Sequence, residues 1–77
     1  MKNTPHRVPI DSRILAAAEY NESRHQMQLD FRDGLRYEYF GAPPQTFRDL
    51  LGAPSHGSFF NRHIRGRFPY VKIAVEN

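Results

Sequence analysis

Four histidines, eight carboxylates and a C-terminal run of arginines are the residues of this 77-residue chain that could do chemistry. His56 and His63 lie seven apart. On one helix that spacing separates them by about 10.5 Å, too far to share a zinc ion whose ligands sit about 2 Å away. His25 falls in an alternating run, and a partly buried, hydrogen-bonded histidine is the plain reading there. Asp30 and Glu38 could act as paired carboxylates only if the outer face of a sheet brought them together inside a cleft, which so short a chain can hardly build. Ser55 and His56 are sequence neighbours with no third residue to orient them. These residues specify no catalytic or metal site and no cofactor, and the expectation is a protein that is not an enzyme.

The arginines say more. From Leu50 to Val75 the chain carries Arg62, Arg65, Arg67 and Lys72 and no acid, whereas residues 11–49 mix seven acids with five bases. Net charge is +3 and the pI about 9.7. Arginine makes planar, bidentate contacts with phosphate and stacks on bases. Nucleic-acid binding needs such cations together with exposed aromatic rings. Phe40 and Arg36, on the outer face of a sheet, and Tyr70, beside the basic cluster, complete the expected set: Arg62, Arg65, Arg67, Lys72, Arg36, Phe40 and Tyr70. The bland alternative is a solvated basic face that keeps a small protein soluble. A rival function is protein–protein interaction, since an exposed edge strand can accept a partner strand and interfaces are rich in arginine and aromatics.

Length and composition set bounds. Seventy-seven residues make one domain with a small core. The absence of cysteine rules out disulfides and thiolate metal sites. No apolar run approaches the roughly 20 residues of a membrane span, and the start lacks a signal peptide's apolar core. A cytoplasmic location is expected, with no membrane partner.

The elements that must position these residues are legible from periodicity. Residues 1–10, with Pro5 and Pro9, read as a loose leader, from which Val8 and Ile10 can dock on a sheet. Ser12 to Tyr20 has helix propensity behind a capping serine, but it also alternates. His25, Met27, Leu29 and Phe31 alternate with polar residues. A four-residue loop at 21–24 would set Tyr20 opposite His25, Ala18 opposite Met27, Ala16 opposite Leu29 and Ile14 opposite Phe31, one apolar face, which favours a strand. For the next hairpin, a two-residue turn at Asp33-Gly34 would set apolar residues against charges. A three-residue loop, Arg32-Asp33-Gly34, pairs Phe31 with Leu35, Leu29 with Tyr37 and Met27 with Tyr39, with Gly34 left-handed. Pro43-Pro44 opens a helix bearing Phe47, Leu50 and Leu51, which Gly52 ends. Ser55 caps a second helix whose stripe is Phe59, Phe60, His63 and Ile64. Arg62 and Arg65 project from its other side, and Gly66 closes it. Residues 70–75 alternate and can add an edge strand. The expected fold is α+β: a three-stranded antiparallel β-meander, two short helices on one face and an optional C-terminal edge strand. Its core is Ile14, Ala16, Ala18, Met27, Leu29, Phe31, Leu35, Tyr37, Tyr39, Phe47, Leu50, Leu51, Phe60 and Ile64. The tyrosine pair Tyr37 and Tyr39 then reads as the wall on which the helices pack.

Two motifs go further. Tyr37-Glu38-Tyr39 is a Tyr-x-Tyr in the last strand of the meander. Ala53 to Arg65 reads Ala-x-Ser-x-Gly-x-Phe-Phe-Asn-x-x-Ile-Arg. Over about residues 11–70 this order resembles the KTSC domain, found at the C-terminus of some lysyl-tRNA synthetases and as a stand-alone bacterial or phage protein. The motif residues are Tyr37, Tyr39, Ser55, Gly57, Phe60, Asn61, Ile64 and Arg65. Departures are Ala42, where the pattern has a larger aliphatic residue, and Phe68, where tyrosine is usual. The resemblance implies a KTSC-like domain over 11–77 and, through the synthetase context, an RNA-binding role. The expected function is a small binding module taking RNA or tRNA through its basic C-terminal helix and tail. The alternative is a protein-interaction module with no nucleic-acid role.

Overall fold

The computed structural model of the chain describes residues 7–74. Five strands form one antiparallel sheet in chain order: β1 (Arg7–Pro9), β2 (Leu15–Asn21), β3 (Gln26–Phe31), β4 (Leu35–Phe40) and β5 (Tyr70–Ala74). Between β4 and β5 lie α1 (Pro44–Gly52), α2 (His56–Phe59) and a π-helical turn over Phe60–Ile64. The class is α+β as expected, but the sheet is wider than a three-stranded meander. Part of the expected leader is strand: β1 pairs with β2, Val8 opposite Ala18, and Ile10 is buried. Residues 1–6, and Val75 of the edge strand, lie outside the described residues.

The β3–β4 hairpin has the register that patterning selects. Leu29 faces Tyr37 and Met27 faces Tyr39, and Gly34 sits at φ 92° with its N–H on the Phe31 carbonyl, 3.1 Å away. A two-residue turn would have flipped one strand's side chains to the wrong face.

The β2–β3 hairpin differs in two ways. Its loop is Glu22–His25, so Tyr20 faces Met27 and Ala18 faces Leu29. Asn21 is paired and its Oδ1 folds back to accept from the Arg24 N–H and the Ser23 hydroxyl. His25 is therefore a left-handed loop residue at φ 51°, not a member of the apolar face. Second, Leu15 faces Phe31 while Ala17 faces Asp30, so Ala16 is the extra residue of a β-bulge. The bulge reverses the alternation upstream of it. Leu15 enters the core with no exposed surface, and Ile14 is left 42% exposed at the rim. The expected core positions Ile14 and Ala16 are thus displaced by Leu15. Arg32 secures the turn before β2, donating to the carbonyls of Ser12 and Ile10 at 2.9 Å each.

The helices cover one face of the sheet. α1 starts on Pro44 and presents Leu50 to the core, and Phe47 stacks on Tyr20 with ring centroids 5.4 Å apart. Gly52 is its last residue, but the stop comes from Ala53, which is extended at ψ 142° as the residue before a proline must be. Ser55 caps α2, its Oγ accepting from the Ser58 N–H. Phe60 and Ile64 then anchor the segment in the core beside Leu15, Met27, Leu29 and Tyr39. The Arg65 N–H reaches back five residues to the Phe60 carbonyl at 2.9 Å, and Gly66 turns the chain away at φ 75°. Ala42 is fully buried and its carbonyl accepts the Tyr20 hydroxyl.

The bulge makes a direct prediction. Leu15→Ala should lower unfolding free energy by about 2–5 kcal/mol, whereas Ile14→Ala should cost less than about 1 kcal/mol. Urea unfolding of the two variants checks it. The reverse order would mean that β2 runs unbulged.

Candidate functional site

On the helix side the sheet is only partly roofed. β4 and β5 pair Tyr39 with Tyr70 and Tyr37 with Lys72, so these four side chains share one face. The rings of Tyr37 and Tyr70 are 5.4 Å apart, those of Tyr39 and Tyr70 5.5 Å, and those of Tyr37 and Tyr39 6.2 Å. Phe31 meets Tyr37 edge-on at 5.1 Å, and Phe60 meets Phe31 edge-on at 5.2 Å. The result is a cleft of about 520 Å³ with an aromatic floor. Its wall carries Asn61 and Arg65, which are hydrogen-bonded to each other, and Asp33 also lines it. Such a volume suits a small ligand or one unit of a polymer.

The tyrosines grade from inside to outside. Tyr39 is 2% exposed, Tyr37 half-buried and Tyr70 53% exposed. Burial pushes the Tyr39 phenol up to about 12, its neighbours Tyr37 and Tyr70 add to the rise, and the Arg65 guanidinium opposes it. Tyr39 is therefore a neutral hydroxyl at physiological pH. Arg65 donates to the Asn61 Oδ1 at 3.4 Å and forms no ion pair among the described residues. The cleft thus offers ring surface, hydroxyls, the Arg65 guanidinium and, without an ion pair to it, the Asp33 carboxylate.

The sequence-derived basic set does not gather in one place. Arg65 and Tyr70 line the cleft, and Lys72 flanks it opposite Tyr37. Arg67 is exposed just beyond the turn at Gly66. Arg62 does not share a face with Arg65: it borders a separate hollow with Phe59 and His63, whose rings are 4.6 Å apart. Arg36 and Phe40 are on the opposite face of the sheet. Tyr37 and Tyr39 read as the wall on which the helices pack: Tyr39 is buried in the core against Phe60, while Tyr37 packs on the core from a half-buried position and also lines the cleft. The cleft residues Ile14, Phe31, Asp33, Asn61 and Gly66 were not among the expected binding positions. The available signal was tyrosine rather than phenylalanine at inward positions, since a phenol wants one end wet.

The opposite face is a polar structural network. Asp30 is buried and accepts from Arg36 Nε at 2.7 Å and from Arg36 NH2 at 3.3 Å, and it pairs also with Arg7. Burial alone would raise its pKa. The hydrogen bonds and charges of Arg36 and Arg7 outweigh that and hold it below the ordinary carboxylate value. Arg36 is engaged there, its own pKa raised by the bond to Asp30. Glu38 accepts from Gln26 Nε2 at 3.0 Å. The two acids are held by different partners and enclose no cleft. Among the described residues no three His, Asp or Glu side chains cluster as a metal site would require, and no helix is long and apolar enough to cross a membrane.

Fold and site together define the class: a five-stranded α+β meander, half-roofed, with an aromatic cleft walled by a capped helix and π turn. The KTSC domain family model matches residues 11–68, and the chain belongs to that family. A KTSC domain protein from Yersinia pestis, known from a crystal structure, superposes with a TM-score of 0.88 at 28% identity, covering 92% of this chain and all of that one. A protein from Tsukamurella paurometabola is 37% identical over 65 residues, 84% of this chain and 97% of its own length. A lysine–tRNA ligase from Nostoc punctiforme is 33% identical over 61 residues, 79% of this chain, which spans only 11% of that ligase.

The motif residues now have physical roles. Ser55 caps, Phe60 and Ile64 anchor, and Asn61 and Arg65 line the cleft with Tyr37 and Tyr39. A Cβ on Gly57 would come within 3.1 Å of Ile14 Cδ1, so glycine lets α2 lie close to the turn before β2.

Two pH limits follow. Asp30, lowered in the folded state, stabilises the fold above the ordinary carboxylate pKa of about 4 and ceases to do so as pH falls through its folded value. Asp30→Asn should therefore flatten the acid limb of a stability–pH profile. Tyr39, raised to about 12, acts oppositely: its contribution is complete below the ordinary tyrosine pKa of about 10 and is lost as pH climbs towards 12. Ultraviolet titration should show a late-ionising phenol that Tyr39→Phe removes. Loss of an ordinary early-ionising phenol, with the late one retained, in Tyr39→Phe would contradict its burial.

Proposed function

We propose that this KTSC domain is a binding module for single-stranded RNA. The cleft would take one base against the Tyr37 and Tyr70 rings, with the buried Tyr39 ring beneath them, while Arg65 meets the adjoining phosphate with Lys72 and Arg67 nearby. The observation that carries the reading is the pairing of converging phenol rings with a guanidinium that forms no ion pair among the described residues. Stacking on such rings is tolerant of sequence and is worth about 1–3 kcal/mol per base. A concave cleft of this kind admits a splayed base and excludes one stacked in a duplex. The lysine–tRNA ligase relatives, proteins that act on an RNA, supply the context that favours RNA over DNA.

The basic helix is thus a weaker contributor than the cleft it walls. Fluorescence anisotropy with a labelled single-stranded RNA over a salt series tests this. Arg65→Gln should weaken binding and lower the salt slope by about one, and Arg62→Ala should do neither. Tyr37→Leu should weaken binding by about fivefold to a hundredfold. Phe40→Ser, on the other face, should leave affinity as it is. If binding shows no salt slope and ignores both Arg65→Gln and Tyr37→Leu, the RNA reading fails. Recovery of a nuclease-resistant polypeptide partner would then favour docking on the β5 edge, where Val71 and Ile73 are exposed.

A further inference from the structure

The aromatic cleft does not end at its own rim. A second hollow of about 430 Å³ lies between the turn before β2 and the start of α2, and the two share Ile14 and Asn61 as a common border. The first is floored by rings. The second is more mixed, with Asp11, Ser12, Arg13, Ser55, His56 and Ser58 beside Ile14 and Pro54. Resting on the RNA reading above, we propose that the two hollows are successive subsites of one groove, and that the ligand is a strand of at least two nucleotides crossing the Ile14–Asn61 saddle.

Three observations support this. The first is Ile14 itself, a large apolar side chain 42% exposed that lies over Gly57, where a Cβ would crowd it. At the saddle it is placed to act as a wedge that parts one base from the next. The second is an excess of donors in the outer hollow. Ser12 Oγ accepts from the N–H groups of Ile14 and Leu15, and Ser55 Oγ accepts from that of Ser58. Each hydroxyl therefore still has its proton to give. Arg13 is exposed and makes no hydrogen bond or ion pair among the described residues. Against these donors stands one acid, Asp11, which leaves room for the oxygens of a ribose and phosphate. The third is chemical order: an apolar, ring-lined slot adjoining a donor-rich one suits a base held in the first and the sugar–phosphate link to the next nucleotide in the second.

The test is the dependence of affinity on length, using 5′-phosphorylated oligouridylates of one to four residues. The protein should bind the dinucleotide about tenfold or more tighter than the mononucleotide, the scale of a hydrogen bond to a charged group. Arg13→Ala should bring the dinucleotide down to the mononucleotide level. Ser58→Glu should do the same by placing a carboxylate in the outer hollow. It completes a Ser-x-x-Glu capping box with Ser55, so the variant should fold at least as well as the parent. A mononucleotide that binds as tightly as longer strands overturns the second subsite while the RNA reading stands. A rise with length that both variants retain also overturns it, because the strand then leaves the cleft by another path. Failure of every length to bind overturns both readings.

Discussion

The area of the helical layer is the constraint on which the rest depends. Five strands at about 4.8 Å spacing make a sheet about 19 Å wide, and a six-residue strand is about 20 Å long. The roof has nine residues in α1, about 13.5 Å at 1.5 Å each, and another nine in α2 and the π turn. Two such segments, each about 10 Å across, cannot cover that sheet. They are placed where the aliphatic side chains are, over Leu15, Met27 and Leu29, and the shortfall falls on β4 and β5. The residues there are tyrosines, whose rings suit a half-covered site and whose hydroxyls suit water. A cleft is what remains when a small roof is centred on the aliphatic part of a wide sheet.

The unroofed face needs a different kind of closure, and Asp30 provides it. In the row Pro9–Ala17–Asp30–Arg36, Ala17 is buried and small. That leaves space for Arg7 to reach from β1 across β2 to the Asp30 carboxylate, while Arg36 reaches it from β4. One carboxylate thereby ties β1, β3 and β4 together on the side where no helix packs. A buried ion pair carries a large desolvation cost, and two arginines donating to one carboxylate is the geometry that offsets it. This commitment also removes Arg36 from any role in meeting phosphate.

What the sequence could reveal divides along physical lines. The β3–β4 register was legible because a slip of one residue would set Phe31 and Leu29 against Arg36 and Glu38, a conflict visible in the letters. The helix start at Pro44 and the cap at Ser55 were legible because single residues carry those signals. Leu15 was hidden because Ile14 and Leu15 are both good core residues, and only the bulge at Ala16 decides between them. β1 was hidden because three residues, the last of them a proline, carry no periodicity. The divergence of Arg62 from Arg65 was hidden because it is a matter of which way a helix faces. The cleft could not be read position by position at all, since it arises from an area that the helices fail to cover.

The π turn joins the fold to the site. Phe60 and Ile64 must point inward for the roof to hold, and Asn61 and Arg65 follow each of them by one residue. A bond reaching five residues back, from the Arg65 N–H to the Phe60 carbonyl, widens the last turn before the chain leaves the helix. Arg65 is then extended, at ψ 123°, rather than helical. Its guanidinium comes to the cleft wall beside Asn61, near enough to Tyr39 to oppose the rise in its pKa. Shortening the turn to an ordinary α-helical one would alter where Arg65 leaves the helix while keeping both core anchors. The irregular turn therefore earns its place through the position of one cation over three tyrosine rings, and packing alone gives no reason for it.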